Sequence, residues 1–252
     1  MSDTATFQRS MNAGPYVRSA FFTHSGAVRP RNEDAYFDGW SIGVWAVADG
    51  MGGHEGGNLA STLIVDRLKA IDAASERIAD VAGAVTAANN EIRALAQRRF
   101  EGRTIGSTVA ALVIEGAKGV CLWAGDSRIY RLRNGALSRL TRDHSQAQEM
   151  IDAGALVEGS EEHVGISNVI TRAVGADDVL ELEQRRIDVA VGDIFLLCTD
   201  GLVSVAEDLE IEAALNARWE EPAQRFVELA LDRRVRDNVT VGVVEIVNLE
   251  EA

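Results

Sequence analysis

Four apolar runs rich in β-branched and aromatic residues each abut an aspartate that stands beside Gly, Ser or Asn. They are Val44-Trp45-Ala46-Val47-Ala48-Asp49-Gly50, Leu122-Trp123-Ala124-Gly125-Asp126-Ser127, Phe195-Leu196-Leu197-Cys198-Thr199-Asp200-Gly201, and Arg236-Asp237-Asn238 leading into Val239-Thr240-Val241. Runs this short and this apolar read as buried strands. A carboxylate at such a tip rests on rigid backbone at the rim of a core, where several strand ends can meet. Carboxylates brought together repel one another unless cations lie between them. A multinuclear metal site with oxygen ligands is the sharper reading; the plainer one is that each aspartate closes its strand in an Asx turn. One such tip is commonplace, whereas four together favour the shared site.

The length, 252 residues, suits one large domain or two small ones, and no Pro/Ser-rich stretch or charge block between residues 20 and 248 looks like a linker. We therefore expect a flexible N-terminus over residues 1–15, a single domain over 16–248 and a frayed acidic tail. With 25 basic and 39 acidic side chains the net charge is −14, which argues against nucleic acid and anionic membrane as partners. No apolar stretch approaches the roughly 20 residues that span a bilayer, and Met1–Ser10 lacks the order of a signal peptide. Cys121 and Cys198 lie inside strand-like runs and read as buried thiols rather than a disulfide. A cytoplasmic monomer is expected.

Strands are expected at Tyr16–Thr23, Ile42–Ala48, Gly106–Glu115, Gly119–Gly125, Arg128–Arg133, Ala136–Leu140, Val179–Val189, Asp193–Thr199 and Val239–Val247. Asn134-Gly135 is a type I′ hairpin signal. Helices are expected at Gly57–Ile71, Glu76–Arg99, Gln146–Ala153, Asp208–Ala217 and Pro222–Leu231, and Leu156–Ser167 reads as irregular. In the second helix Ile78, Val81, Val85, Ala88, Ile92 and Leu95 form a core-facing stripe. Strand follows strand without regular helical crossovers, so the fold class is α+β: antiparallel sheets with helix pairs packed outside.

Asp49, Asp126, Asp200, Asp237 and the Gly50 carbonyl make an all-oxygen donor set, which suits Mg²⁺ or Mn²⁺ better than Zn²⁺. Glycine after Asp49 and Asp200 lets the backbone turn sharply there. The loop Gly26-Ala27-Val28-Arg29-Pro30-Arg31-Asn32-Glu33-Asp34 places two arginines just before two acids. Arginine grips phosphate through a planar fork, so a basic loop beside a metal cluster points to a phosphoryl substrate; a solvated loop with a local ion pair is the alternative. Other phosphate chemistries are excluded. Ser127 and Ser204 stand where a cysteine phosphatase needs its arginine, and no G-x-x-x-x-G-K-[ST] motif occurs. The Gly-rich run Gly50-Met51-Gly52-Gly53-His54-Glu55-Gly56-Gly57 does not fit a dinucleotide loop and reads as room for metals and substrate.

Arg29 to Asp34, Asp49-Gly50-Met51-Gly52-Gly53, Gly106-Ser107-Thr108, Gly125-Asp126-Ser127-Arg128, Asp143-His144-Ser145, Thr171-Arg172-Ala173-Val174-Gly175, Cys198-Thr199-Asp200-Gly201-Leu202 and Arg236-Asp237-Asn238-Val239-Thr240 follow one another in order. This series resembles the motifs of metal-dependent protein phosphatases of the PPM (type 2C) family, in particular compact bacterial members, over about Phe21 to Ile246. The resemblance implies a four-layer sandwich of two antiparallel sheets flanked by helix pairs, and hydrolysis of phosphoserine and phosphothreonine on proteins in opposition to a Ser/Thr kinase. It implies Mn²⁺ or Mg²⁺, two ions tightly bound and a weaker third. Asp49 would bridge the pair, Asp200 and Asp237 would bind the first ion, the Gly50 carbonyl the second, and Asp126 with Asp200 the third. Glu33 and Asp34 would position waters, Arg29 would grip the phosphate and Asn238 would support the ligands, while Gln146–Val169 would form a flap over the site.

One departure concerns the general acid. Met51 stands where some eukaryotic members have histidine, and methionine has no proton to donate, so His54, His144 or water must supply it. Two other readings stay open: a catalytically silent phosphatase-like binding module, and a metal phosphohydrolase acting on small molecules. Glu158, Glu161 and Glu162 in the flap segment are expected to make the mouth acidic and to favour phosphosites flanked by basic residues.

Overall fold

The computed structural model describes residues 6–8, 16–53, 55–72, 76–157 and 169–248. Along the chain run β1 (Thr6–Gln8), β2 (Tyr16–His24), β3 (Ala35–Gly39), a 3-10 turn (Trp40–Ile42), β4 (Val44–Ala48), β5 (Gly50–Met51), α1 (Gly56–Lys69) and α2 (Arg77–Arg99). Next come β6 (Gly106–Ser107), β7 (Val109–Glu115), β8 (Lys118–Ala124), β9 (Arg128–Arg133), β10 (Ala136–Arg139), α3 (Gln146–Asp152) and β11 (Glu183–Asp188). The last are β12 (Ile194–Cys198), α4 (Asp200–Val203), α5 (Asp208–Asn216), α6 (Pro222–Asp232) and β13 (Val239–Val247).

A six-stranded sheet has the order β1-β2-β13-β12-β9-β10, a five-stranded sheet the order β11-β8-β7-β4-β3, and β5 pairs with β6 in a short ribbon. All of these pairings are antiparallel. The period of two along each strand builds the layers. On β4, Trp45 and Val47 face Phe195, Leu197, Val244 and Ile246 of the other sheet, while Val44, Ala46 and Ala48 face Ile64 and Leu68 of α1 and Val85 and Ile92 of α2. On β12, Ile194, Leu196 and Cys198 turn the other way, onto Ile211 of α5 and Phe226 and Val227 of α6. The result is the expected helix–sheet–sheet–helix sandwich. Because β13 is covered on both faces, all nine of its residues are buried. Full burial of a side chain such as Leu68 or Phe226 contributes roughly 1.5–3 kcal/mol.

The stripe on α2 is core, with Val81, Val85, Ala88 and Ile92 buried. Asn134 and Gly135 carry φ of 52° and 82° between Arg133 and its partner Ala136, the left-handed pair that a type I′ turn requires. Both cysteines are free and buried; Cys121 lies between the sheets and Cys198 between a sheet and its helices.

The structure also corrects several boundaries. Residues 1–15 lie outside the described residues except Thr6–Gln8, which pairs with β2 instead of hanging free. The strand expected from Ile42 starts at Val44, after the 3-10 turn, and the one expected from Val179 starts at Glu183. The strand expected over Gly106–Glu115 breaks at Thr108, which turns to bond Asp49. Strand β3 and helix α4 are additions. Among the described residues no helix is long and apolar enough to cross a membrane.

Candidate metal and phosphate site

The central strands of both sheets end on one side of the sandwich, and their tips enclose a cavity of about 400 Å³. Asp49 follows β4, Asp126 sits in the turn between β8 and β9, Asp200 opens α4 directly after β12, and Asp237 precedes β13. All four line this cavity, with Gly50, Glu33, Arg29, Arg31, Met51, Thr108, Ile170 and Asn238 among the other walls. The glycines after two of the aspartates are required for closeness rather than for a turn, since neither has a positive φ. A Cβ on Gly201 would lie 2.0 Å from the Asn238 carbonyl oxygen, and one on Gly50 would lie 2.2 Å from that of Gly57. The bare backbone lets the β12 end pack on the start of β13, and the β4 end pack on α1.

The loop before β3 is pinned to the same place. Asn238 accepts the Glu33 N–H at 2.8 Å through Oδ1, and its Nδ2 donates to the Ser25 and Arg31 carbonyls at 3.0 and 2.9 Å. One side chain at the head of β13 thus holds both ends of the Ser25–Glu33 loop. Arg29 donates to Asp237 through Nε at 3.0 Å and Nη2 at 2.7 Å, and that bond raises the guanidinium pKa. The arginine that the motif resemblance assigns to phosphate is here a two-point partner of Asp237. Asp34 is behind the cavity wall. Its Oδ2 accepts from Thr199 at 2.9 Å and Thr240 at 2.7 Å.

The electrostatics are those of crowded carboxylates. Burial pushes Asp34 up to about 7, against the two threonine hydrogen bonds, with Asp200 and Asp237 adding repulsion. Burial, then Asp200 and Asp143, push Asp126 up to about 8. Asp49 is held well above the usual carboxylate range by burial and by Asp34, Asp200, Asp126 and Asp237. Burial and Asp237 also raise Asp200. Oδ1 of Asp200 and Oδ1 of Asp34 are buried and accept no hydrogen bond from the described residues. Among the described residues no three acidic, thiol or imidazole groups already form a closed metal cage. The aspartates stand instead around a shared space, with hard oxygen donors, orphaned lone pairs and repulsion that divalent cations would relieve. That donor set fits Mg²⁺ or Mn²⁺.

Of the two expected histidines, His144 does not serve as an acid here. His54 lies outside the described residues, as do Glu158, Glu161 and Glu162 of the expected acidic mouth. His144 is buried and does not line the cavity. Burial lowers its pKa, and both ring nitrogens have partners in Gly125 and Glu183. Thr108 has a task that sequence reading did not assign. Its Oγ1 accepts the Asp49 N–H at 3.0 Å and meets Ser127 Oγ at 2.7 Å, and its own N–H donates to the Asp49 carbonyl at 2.8 Å. It ties the end of β4 to the Asp126 turn. The only signal for it was its place in a motif directly before an apolar run.

Comparison with known proteins agrees with this geometry. The sequence pattern described as protein phosphatase 2C matches residues 24–238. The serine/threonine protein phosphatase PstP of Mycobacterium tuberculosis is 33% identical over 238 residues, 93% of this chain; the chain spans 46% of the length of that relative. The structure of PppA, described as a key regulatory component of T6SS in Pseudomonas aeruginosa, superposes with a TM-score of 0.83 at 39% identity, over 96% of this chain and 99% of that one. The catalytic domain of a PstP in complex with two manganese ions superposes with a TM-score of 0.82 at 34% identity, covering 92% of this chain and 99% of that one. With its strand-tip aspartates gathered at one cavity and its motifs in register over that span, the chain belongs to the protein phosphatase 2C family.

Proposed function

We propose that the protein hydrolyses phosphoserine and phosphothreonine on proteins, opposing a Ser/Thr kinase, with residues 16–248 as one catalytic domain. The observation that carries this reading is the cavity of about 400 Å³ into which four central strand ends deliver Asp49, Asp126, Asp200 and Asp237, with Arg29 and Arg31 at its wall. Asp49, Asp200, Asp237 and the Gly50 carbonyl would hold two Mn²⁺ or Mg²⁺ ions, and Asp126 with Asp200 would hold a weaker third. When bound, such ions supply positive charge for the phosphoryl oxygens and a nucleophilic water at neutral pH.

The rest falls to the chain itself. Arg29 exchanges Asp237 for the phosphate and takes up charge on its non-bridging oxygens, where a fork of two donors suits the geometry. Glu33, on the cavity wall, and Asp34, behind it, orient waters through their free oxygens. Asn238 keeps the Arg29–Glu33 loop against β13, so that arginine and aspartates face each other at fixed separation. Met51 offers no proton and His144 is committed elsewhere, which leaves water in the cavity or His54 to protonate the leaving alkoxide. The partners are phosphorylated proteins met as a monomer in the cytoplasm.

A purified phosphothreonine peptide assayed with Mn²⁺, with Mg²⁺ and with excess chelator tests the reading. Turnover should need the metal and should collapse in Asp49→Asn, because the Asp49 carboxylate would be shared by both ions. Turnover in chelator, or a fully active Asp49→Asn protein, would refute the mechanism. Metal-tight binding of phosphopeptide without release of phosphate would instead favour the silent binding module.

A further inference from the structure

The cavity leaves the motifs Asp143-His144-Ser145 and Thr171-Arg172-Ala173-Val174-Gly175 without a task, and the structure brings them together around one buried ring. His144 stacks on Trp123 of β8, with ring centroids 6.0 Å apart and planes 11° from parallel. Its Nδ1 accepts the Gly125 N–H at 3.1 Å, and its own backbone N–H donates to the Gly125 carbonyl at 3.0 Å. One residue therefore holds Gly125, the neighbour of Asp126, at both its N–H and its carbonyl. Because Nδ1 accepts, the proton sits on Nε2, which donates to Glu183 Oε2 on the edge strand β11 at 2.9 Å. Arg172 is bonded to Glu181 at 3.0 Å and flanks the same ring nitrogen at 3.3 Å. On the backbone side the His144 carbonyl accepts the Thr171 N–H at 2.8 Å, and Ser145 bridges to Ile170, which lines the cavity as Asp126 does. The turn itself has no slack. Gly125 has φ of 114°, and a Cβ there would lie 2.6 Å from Thr108 Cβ.

We propose that His144 is a positioning residue: its ring holds the Gly125 N–H, and its backbone holds the Gly125 carbonyl and the Thr171 N–H, so that Asp126 and Ile170 stand on the cavity wall in fixed relation. Glu183 serves this role by fixing the tautomer that leaves Nδ1 free to accept. The proposal rests on reading the cavity as a phosphatase site, in which Asp126 assists turnover without gripping substrate. His144 then acts on kcat through Asp126 and leaves KM, set at Arg29, alone.

Two isosteric variants separate this role from general support of the fold. In His144→Asn the side-chain amide lies where Nδ1 was; in His144→Gln the amide reaches toward the Nε2 position and the Gly125 N–H loses its acceptor. Hydrogen exchange of the full-length protein should be faster at Gly125 by about tenfold in the Gln variant, as for one lost hydrogen bond, and should stay near wild type in the Asn variant. In phosphopeptide turnover with Mn²⁺, His144→Gln and Asp126→Ala should each lower kcat at unchanged KM, and the double variant should be no slower than Asp126→Ala alone. Should the Gln variant not fold, Glu183→Ala on the exposed edge strand should show the same faster exchange and the same non-additivity. Equal exchange at Gly125 in the Gln and Asn variants, or kcat losses that multiply in the double variant, would overturn the proposal. If the wild-type protein turned over no phosphopeptide, the phosphatase reading would fail, and the exchange comparison would still decide whether His144 positions the turn.

Discussion

Replacing Asp126 by asparagine should make the metal-free protein more stable while impairing the site it belongs to. The reason is the direction of its ionisation. The Asp126 carboxyl is raised from 3.8 to about 8 by burial, Asp200 and Asp143, so the folded protein holds this proton more tightly than the unfolded chain does. Stability from that proton is fully present below pH 4 and is lost as pH rises through about 8. Asparagine keeps the shape and carries no proton to lose. Each pH unit across this window is worth about 1.4 kcal/mol, so from pH 5.5 to 8 the advantage of the variant should grow by roughly 3 kcal/mol. For a chain of this size each kcal/mol moves Tm by about 2–4 °C, so the gap between variant and wild type should widen by roughly 6–12 °C. Thermal unfolding in chelator at several pH values, followed by circular dichroism, reads it directly. Added Mn²⁺ should reverse the order at pH 8, because the ionised carboxylate then gains a cation that the amide binds poorly. A difference that does not change with pH, or a variant less stable than wild type at pH 8 in chelator, would refute the reasoning.

Arg29→Ala should raise KM for phosphopeptides and lower kcat/KM about ten- to hundredfold, the worth of a charge-assisted two-point contact; unchanged steady-state kinetics would move that role to Arg31. Asn238→Ala leaves the Glu33 N–H and the Ser25 and Arg31 carbonyls without their partner, so hydrogen exchange at Glu33 should accelerate about tenfold and KM should rise with it. Unaltered exchange at Glu33 would show that other contacts hold the loop. Asn89→Ala should cost about 2 kcal/mol in urea unfolding, because the buried Asn89 accepts the Gly175 N–H at 2.6 Å and donates to the Asp177 carbonyl at 3.0 Å. A neutral effect would mean that water replaces both bonds.

The layers and the strand tips were legible because they are local. Alternation along β4 and β12 and the three-and-four spacing on α2 state which face each residue turns, and the aspartate beside each run follows from chain position alone. Strand β3 escaped notice because Ala35-Tyr36-Phe37-Asp38-Gly39 has no such alternation. Its support is lateral: it pairs with β4, and Asp38 accepts hydrogen bonds from Ser19 and Trp45. Asn89 went unremarked beside the apolar stripe of α2, yet it is buried and fastens the loop after Val174. His144 looked like a spare proton donor on a loop, and tertiary packing buried it under Trp123 with both nitrogens occupied.

By itself, then, the sequence determined the α+β sandwich, the strand-end aspartates with their oxygen-only chemistry, and the order of motifs that places the chain in its family. Those properties rest on side-chain periodicity and on residue type, which act over a few positions. Only the tertiary structure decided which groups meet. Arg29 finds Asp237 across 208 residues of chain, Asp34 withdraws behind Thr199 and Thr240, and Asp49, Asp126 and Asp200 become hard to ionise. The physical reason is that partners and desolvation depend on the register and stacking of two sheets. A carboxylate has its ordinary pKa in any stretch of sequence, and loses it only when folding takes its water away and sets like charges beside it.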